Sequence, residues 1–163
     1  MPIARFEHVS EKQFAADACA FEEKLPLGDI AFPRRATTGS AGYDFVCPVR
    51  AEVRPGEVTV IPSGFRAIME PGWVLVICPR SSLGRKYGMR LANTVGVIDS
   101  DYAFAENEGH ILAAVTNGGL VPFTLNPGDR FCQGVFLPFG LAEEEAVTAQ
   151  RRGGYGSTGL RDS

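Results

Sequence analysis

At 163 residues the chain is long enough for one domain with a real core and too short for two ordinary ones. Hydrophobic residues make up 45% and charged residues 21%, the balance of a soluble globular protein. A formal net charge of -3 argues against a protein that coats DNA or RNA, which would leave a basic footprint, but leaves room for a small anionic ligand held by a few local donors.

The N-terminus, Met-Pro-Ile-Ala-Arg-Phe-Glu-His, has no apolar core of signal-peptide length, and no stretch is long enough to span a bilayer. One helix follows. Ser10 with Gln13 three residues on reads as a capping box, and Phe14, Ala15, Ala18 and Phe21 come at helical spacing. Beyond it, Gly and Pro punctuate the chain every several residues. Short β-type runs lie between these breaks: Val58–Ile61, Phe65–Met69, Trp73–Cys78, His110–Val115, Leu120–Leu125 and Phe131–Leu137. Pro55–Gly56, Pro71–Gly72 and Pro127–Gly128 mark tight reversals. The pattern predicts an all-β sandwich or barrel with one short N-terminal helix. Cys19, Cys47, Cys78 and Cys132 are scattered, with no Cys-x-x-Cys pair and only His8 and His110 beside them, so a zinc site is not expected. Cys47, Cys78 and Cys132 sit in apolar runs and read as reduced core residues of a cytosolic protein.

Several segments carry chemistry. Ala41-Gly42-Tyr43-Asp44-Phe45 reads as a turn entering a strand. Pro79-Arg80-Ser81-Ser82-Leu83-Gly84 gathers hydroxyls, amides and a guanidinium in a bend that suits either a phosphate or an ordinary helix N-cap. Asp99-Ser100-Asp101-Tyr102 follows the apolar Val95-Gly96-Val97-Ile98. If extended, its two acids face opposite ways, one into a site and one structural; the alternative is a solvated Asx turn. Gly128-Asp129-Arg130-Phe131-Cys132-Gln133 alternates as a half-buried strand. Glu106-Asn107-Glu108 and Glu143-Glu144-Glu145 read as surface. The tail from Gln150 to Ser163 is Gly-rich, with donors and one aromatic, and suits either a frayed terminus or a flap that orders over a ligand.

Taken in order, Ala41–Phe45, Pro79–Leu83, Asn93–Tyr102 with Gly109-His110-Ile111, Gly128–Gln133 and Gly153–Gly159 resemble the motifs of the trimeric dUTP pyrophosphatases (dUTPases), from about Leu25 to Gly159. The resemblance implies a β jelly roll that assembles as a homotrimer with active sites shared between subunits. It divides the chain into an N-terminal extension over 1–24, a β domain over 25–149 and a C-terminal flap over 150–163. It also implies a cytoplasmic enzyme that hydrolyses dUTP to dUMP and pyrophosphate with Mg²⁺, limiting uracil in DNA and supplying dUMP for thymidylate synthesis. By position, Asp99 matches the acid that activates water for attack on the α-phosphorus, and its apolar setting should make it a better base than a free carboxylate. Tyr102 matches the aromatic under the deoxyribose that disfavours a 2′-hydroxyl. Asn93 and the main chain around Val97 and Ile98 match a hairpin that reads the uracil edge. Arg80, Ser81 and Ser82 match the phosphate turn, and Gln133 a phosphate contact. Asp44 matches an acid holding the metal's water shell or the site's architecture. In the tail, Tyr155 stands where the family usually has a Phe stacked on uracil. Gly156 and Ser157 continue that motif, and the closing arginine falls on Arg151 or, in the longer form of the motif, on Gln150, with Arg151 the choice here.

There are two further departures: Ser82 stands where many members have Gly, which matters little where only its backbone N–H is used, and a longer loop over Ala103–Glu108 marks a bacterial or phage-like subtype. The nearest rival is dCTP deaminase, a relative of the same fold. It needs a Glu where this chain has Ala114 and has Asp-Pro where this chain has Asp99-Ser100. A rival of another class is a nucleotide-binding regulatory protein of the phage type, with a protein partner.

Overall fold

The computed structural model describes residues 2–143 and Gly153. Its strands, in chain order, are β1 (Ala4–His8), β2 (Arg34–Arg35), β3 (Tyr43–Val46), β4 (Ala51–Val53), β5 (Val58–Pro62), β6 (Phe65–Met69), β7 (Trp73–Pro79), β8 (Met89–Leu91), β9 (Gly96–Ile98), β10 (Leu112–Asn117), β11 (Phe123–Leu125) and β12 (Arg130–Pro138). Helix α1 spans Glu11–Asp17 and α2 Ser81–Tyr87, and single 3-10 turns form at Leu27–Asp29 and Ser100–Phe104. Every pairing between strands is antiparallel. The largest sheet runs β2-β3-β12-β7-β9, a second runs β5-β10-β8, and β1-β6 and β11-β4 form ribbons. The sheets close as a jelly roll over one core, in which Phe45, Phe65, Ile61, Leu75, Met89 and Phe131 are fully buried. No helix among the described residues is long and apolar enough to cross a membrane.

The turn chemistry expected from the sequence is realised. Gly56, Gly72 and Gly128 take φ of 77°, 83° and 91°, the left-handed position that a Pro-Gly reversal demands. Cys47 and Cys132 are buried, and burial pushes the Cys47 thiol up to about 12, so it packs as a small apolar group. Three features differ from the sequence reading. A second helix, α2, opens at Ser81, anchored by partly buried Leu83 and closed by Gly88 at φ 69°. The alternation expected along β12 breaks at a bulge between Arg130 and Cys132, which puts Phe131 and Cys132 both inside. The segment after Asp99 is a 3-10 turn over Ser100–Phe104 and not an extended stretch, so Asp99 and Asp101 are not set on opposite faces of a strand.

The N-terminal segment is woven into this fold. β1 pairs along its whole length with β6, and Phe14 and Ala18 of the α1 region enter the core. Ser10 caps α1 as read, its Oγ accepting from the Gln13 N–H at 3.1 Å. The return half of the capping box is absent. Gln13 turns along the helix to donate to Asp17 Oδ2 at 2.8 Å, and the Ser10 N–H is taken instead by Glu108, far along the chain.

Candidate active site

The phosphate-type residues gather at one end of the large sheet. On β12, Gln133 stands directly opposite Asp44 of β3 and Cys78 of β7, so the three side chains share a face. A Cβ on Gly42 would come within 2.5 Å of Gln133 Oε1, so glycine there lets the Gln133 amide lie flat across the chain entering β3. Arg80 leaves the end of β7, its N–H tied to Phe131 O at 3.2 Å. Its guanidinium holds Asp44 Oδ1 at 3.2 Å while Arg130 holds Oδ2 at 3.2 Å. Asp44, with its side chain 11% exposed, therefore locks Arg80 in place with both oxygens engaged. Exposed Ser81 and Ser82 form the first turn of α2, where their backbone N–H groups lack intrahelical acceptors. Arg130 was not singled out in the sequence. It is visible there only as the polar residue before a buried pair. A cavity of about 690 Å³ opens beside Asp44, with Arg34, Arg130, Asp29 and Phe32 among its walls.

The second group runs along the opposite edge of the same sheet. Asn93 lies in an exposed turn where Thr94 takes φ 69° and Val95 N–H returns to Asn93 O at 2.8 Å. This turn is a corner rather than a self-paired hairpin, because β8 belongs to the second sheet and β9 to the first. Gly96 makes the corner possible, since a Cβ there would sit 3.1 Å from Ile77 Cβ. β9 is the edge strand of its sheet, so along Gly96–Ile98 alternate residues turn outward backbone N–H and C=O groups of the kind a base edge can pair with. Asp99 caps the following 3-10 turn, with its carbonyl accepting from Tyr102 N–H at 3.1 Å. Tyr102 is 6% exposed. Its hydroxyl donates to His110 O at 3.0 Å and accepts from Asn107 Nδ2 at 2.8 Å.

The loop expected to be surface is held down. Glu108, at φ 58°, accepts from Ser10 N–H and Ser10 Oγ–H, both at 2.7 Å, and these bonds keep its carboxyl below the usual range. His110 is fully buried. Its Nε2 accepts from Gly64 N–H at 2.9 Å, which places the proton on Nδ1, donated to Asp17 Oδ2 at 2.5 Å. Burial lowers the His110 pKa, outweighing the pull of Asp17 towards the charged form.

The two groups do not meet within one chain. Ile98 pairs with Leu75, so Asp99 comes level with Val74, whereas Arg80 follows Pro79. Six residue steps along β7, from Val74 to Arg80, separate them, about 20 Å at roughly 3.3 Å per step. Arg151, Tyr155, Gly156 and Ser157 lie outside the described residues. Among the described residues no cluster of acids, Cys and His is placed to hold a metal by itself.

A donor-rich turn at one sheet end and an open strand edge closed by a carboxylate at the other mark an all-β protein of the jelly-roll class. Similarity to known proteins narrows that class. The dUTPase family model matches residues 29–161. The deoxyuridine 5'-triphosphate nucleotidohydrolase of Lactococcus lactis subsp. lactis is 43% identical over 83% of this chain and 93% of its own. That of Burkholderia ambifaria is 41% identical over 78% and 88%. The dUTPase structure from Streptococcus mutans superposes with a TM-score of 0.67 at 36% identity, covering 85% of this chain and 98% of that one. A dUTPase from phage phi11 of S. aureus shares the fold at a TM-score of 0.68 and 18% identity, over 91% and 97%. The chain belongs to the dUTPase family.

Proposed function

We propose that the chain is a dUTP diphosphatase, hydrolysing dUTP to dUMP and pyrophosphate at sites completed between copies of the chain. Family membership supports the reaction. The observation that carries the shared site is the separation of two well-formed half-sites on one molecule: Asp44, Arg80 and Gln133 at one end of β7, and the edge from Asn93 to Tyr102 at the other. A triphosphate bound at Arg80 of one copy meets the uracil edge and Asp99 of the next. In the assembly the family implies, a homotrimer, three equivalent sites form, each closed by a tail carrying Arg151, Tyr155, Gly156 and Ser157.

In such a site Asn93 and the outer backbone edge of Val97 and Ile98 hold the uracil, and the Tyr102 ring supports the deoxyribose. Arg80, the Ser81 and Ser82 amides and Gln133 fix the phosphates. Asp99 takes the proton of a water as its oxygen bonds to the α-phosphorus, and the bond from that phosphorus to the bridging oxygen breaks to release pyrophosphate. The donor set suits Mg²⁺ carried on the substrate. Mg²⁺ favours phosphate oxygens and water with few protein ligands, and Asp44, already bound to two arginines, can reach its water shell without a cage of acids around it. Bound there, Mg²⁺ would supply charge neutralisation at the phosphates. Deamination is disfavoured, because position 114 is a buried alanine on β10 with no carboxylate to offer.

Pyrophosphate release from dUTP with Mg²⁺, measured for the wild type and Asp99→Asn, tests this reading. The wild type should turn over dUTP, and the variant should lose at least about a hundredfold in kcat, the scale of general-base catalysis. An inactive wild type, ammonia release from dCTP, or an equally active variant would each overturn it.

A further inference from the structure

The Ala103–Glu108 loop and helix α1 form a brace that ends on Tyr102. A tyrosine hydroxyl has one proton to give, and that of Tyr102 goes to His110 O. Its lone pair is met by Asn107 Nδ2 at 2.8 Å, so the hydroxyl is held from two directions and the ring cannot tilt without breaking a bond. Asn107 is itself fixed, its Oδ1 accepting from Gly109 N–H at 3.3 Å and its carbonyl from His110 N–H at 3.1 Å. The chain passes this point through two left-handed residues in succession, Glu108 at φ 58° and Gly109 at φ 69°. A Cβ on Gly109 would fall 2.4 Å from Ala103 Cα, so the loop lies directly on the Tyr102–Ala103 backbone. Such strain persists only where its surroundings over-determine it. Here α1 does so from both ends: Ser10 at its N-cap grips Glu108, and Asp17 in its last turn grips His110. Helix α1 precedes residue 29, where the family match begins.

We propose that Asn107 is a positioning residue for the hydrolysis. It sets the tilt of the Tyr102 ring against the bound sugar, and helix α1 braces it through Glu108 and His110. The inference rests on the reading of Tyr102 as the sugar platform. In Asn107→Ala, KM for dUTP should rise about fivefold, the worth of one neutral hydrogen bond, with kcat within about twofold, and the preference for dUTP over UTP should narrow by a similar factor. With Tyr102→Phe as background, which has no hydroxyl to hold, Asn107→Ala should add nothing further. Ser10→Ala, which loosens the brace without touching the loop's own bonds, should shift KM the same way by less, and serves if Asn107→Ala does not fold. Ring flipping of Tyr102, followed by NMR on ¹³C-tyrosine protein, should speed up in Asn107→Ala. That readout needs no turnover, so it separates failure of this inference from failure of the dUTP reading. Unchanged KM and sugar preference in folded Asn107→Ala, effects that add to those of Tyr102→Phe, or unaltered ring flipping would each overturn the proposal.

Discussion

Asp44 and His110 are both titratable groups whose partners, more than their identity, decide what they do. Asp44 gives one oxygen to Arg80 and the other to Arg130, each at 3.2 Å. A free carboxylate would repel an incoming triphosphate. Paired with two guanidiniums, it becomes a strut that aims Arg80 while leaving the local charge positive. His110 is held neutral by geometry. A proton on Nε2 would point at the Gly64 N–H that this nitrogen now accepts, and burial penalises the cation further. The consequence for stability has a definite sign. The folded-state pKa lies below the ordinary 6.5, so between the two values the unfolded chain binds more protons. Stability should therefore fall as pH drops below about 6.5 and level off below the folded-state value. Glu108, lowered from 4.5, acts only in more acid solution. Melting temperatures between pH 7 and 5 should decline for the wild type and stay flatter for His110→Asn. Parallel declines would remove His110 as the source.

The elements show where local sequence suffices and where it does not. Turns set by Pro-Gly pairs, the strands Val58–Pro62, Phe65–Met69 and Trp73–Pro79, and the Ser10 cap were legible because each rests on neighbours in sequence. The short edge strands β1, β2, β4, β8 and β9 were not, since two to five residues carry too little pattern and exist by pairing with distant partners. The site divides in the same way. Arg80, Asp99 and Gln133 stand out in contiguous motifs, whereas Arg130 against Asp44, and Glu108 against Ser10, join positions that only the fold brings together. Glu108 in particular reads as solvent-exposed acid, and nothing near it in the chain says that it caps a helix. Ser10→Ala removes both the Gln13 cap and a hydroxyl bond to Glu108, and should cost about 1–2 kcal/mol. For a chain of this size that is a fall of roughly 2–4 °C in Tm per kcal/mol, measurable by thermal unfolding. No change in Tm would mean that α1 does not brace the loop.

At the scale of the whole molecule, the proposed shared site would make a single copy an incomplete enzyme. The turn at Arg80 and the edge from Asn93 to Asp99, proposed to hold phosphates and base, are each ordered, yet they lie about 20 Å apart along β7, too far for one nucleotide to bridge from Arg80 to Asp99 with the α-phosphorus at both. Exposed apolar side chains such as Val58, Val60, Val97 and Phe104 are of the type that an assembly would cover. Five of the motif positions named from sequence fall on one edge and five gather around the other end, a division invisible in a linear string, because strand register decides it. Co-assembly of two damaged chains tests this directly. Arg80→Ala lacks the phosphate half and Asp99→Asn the catalytic half, and each alone should release almost no pyrophosphate from dUTP. When the two are co-expressed under separate tags and purified together, sites between unlike chains join an intact Arg80 to an intact Asp99. In a closed ring of three that holds both kinds of chain, one site in three is whole, so activity should be about a third of wild type. A co-assembled sample as inactive as its parents would contradict the shared site and, with it, the account of how this fold hydrolyses dUTP.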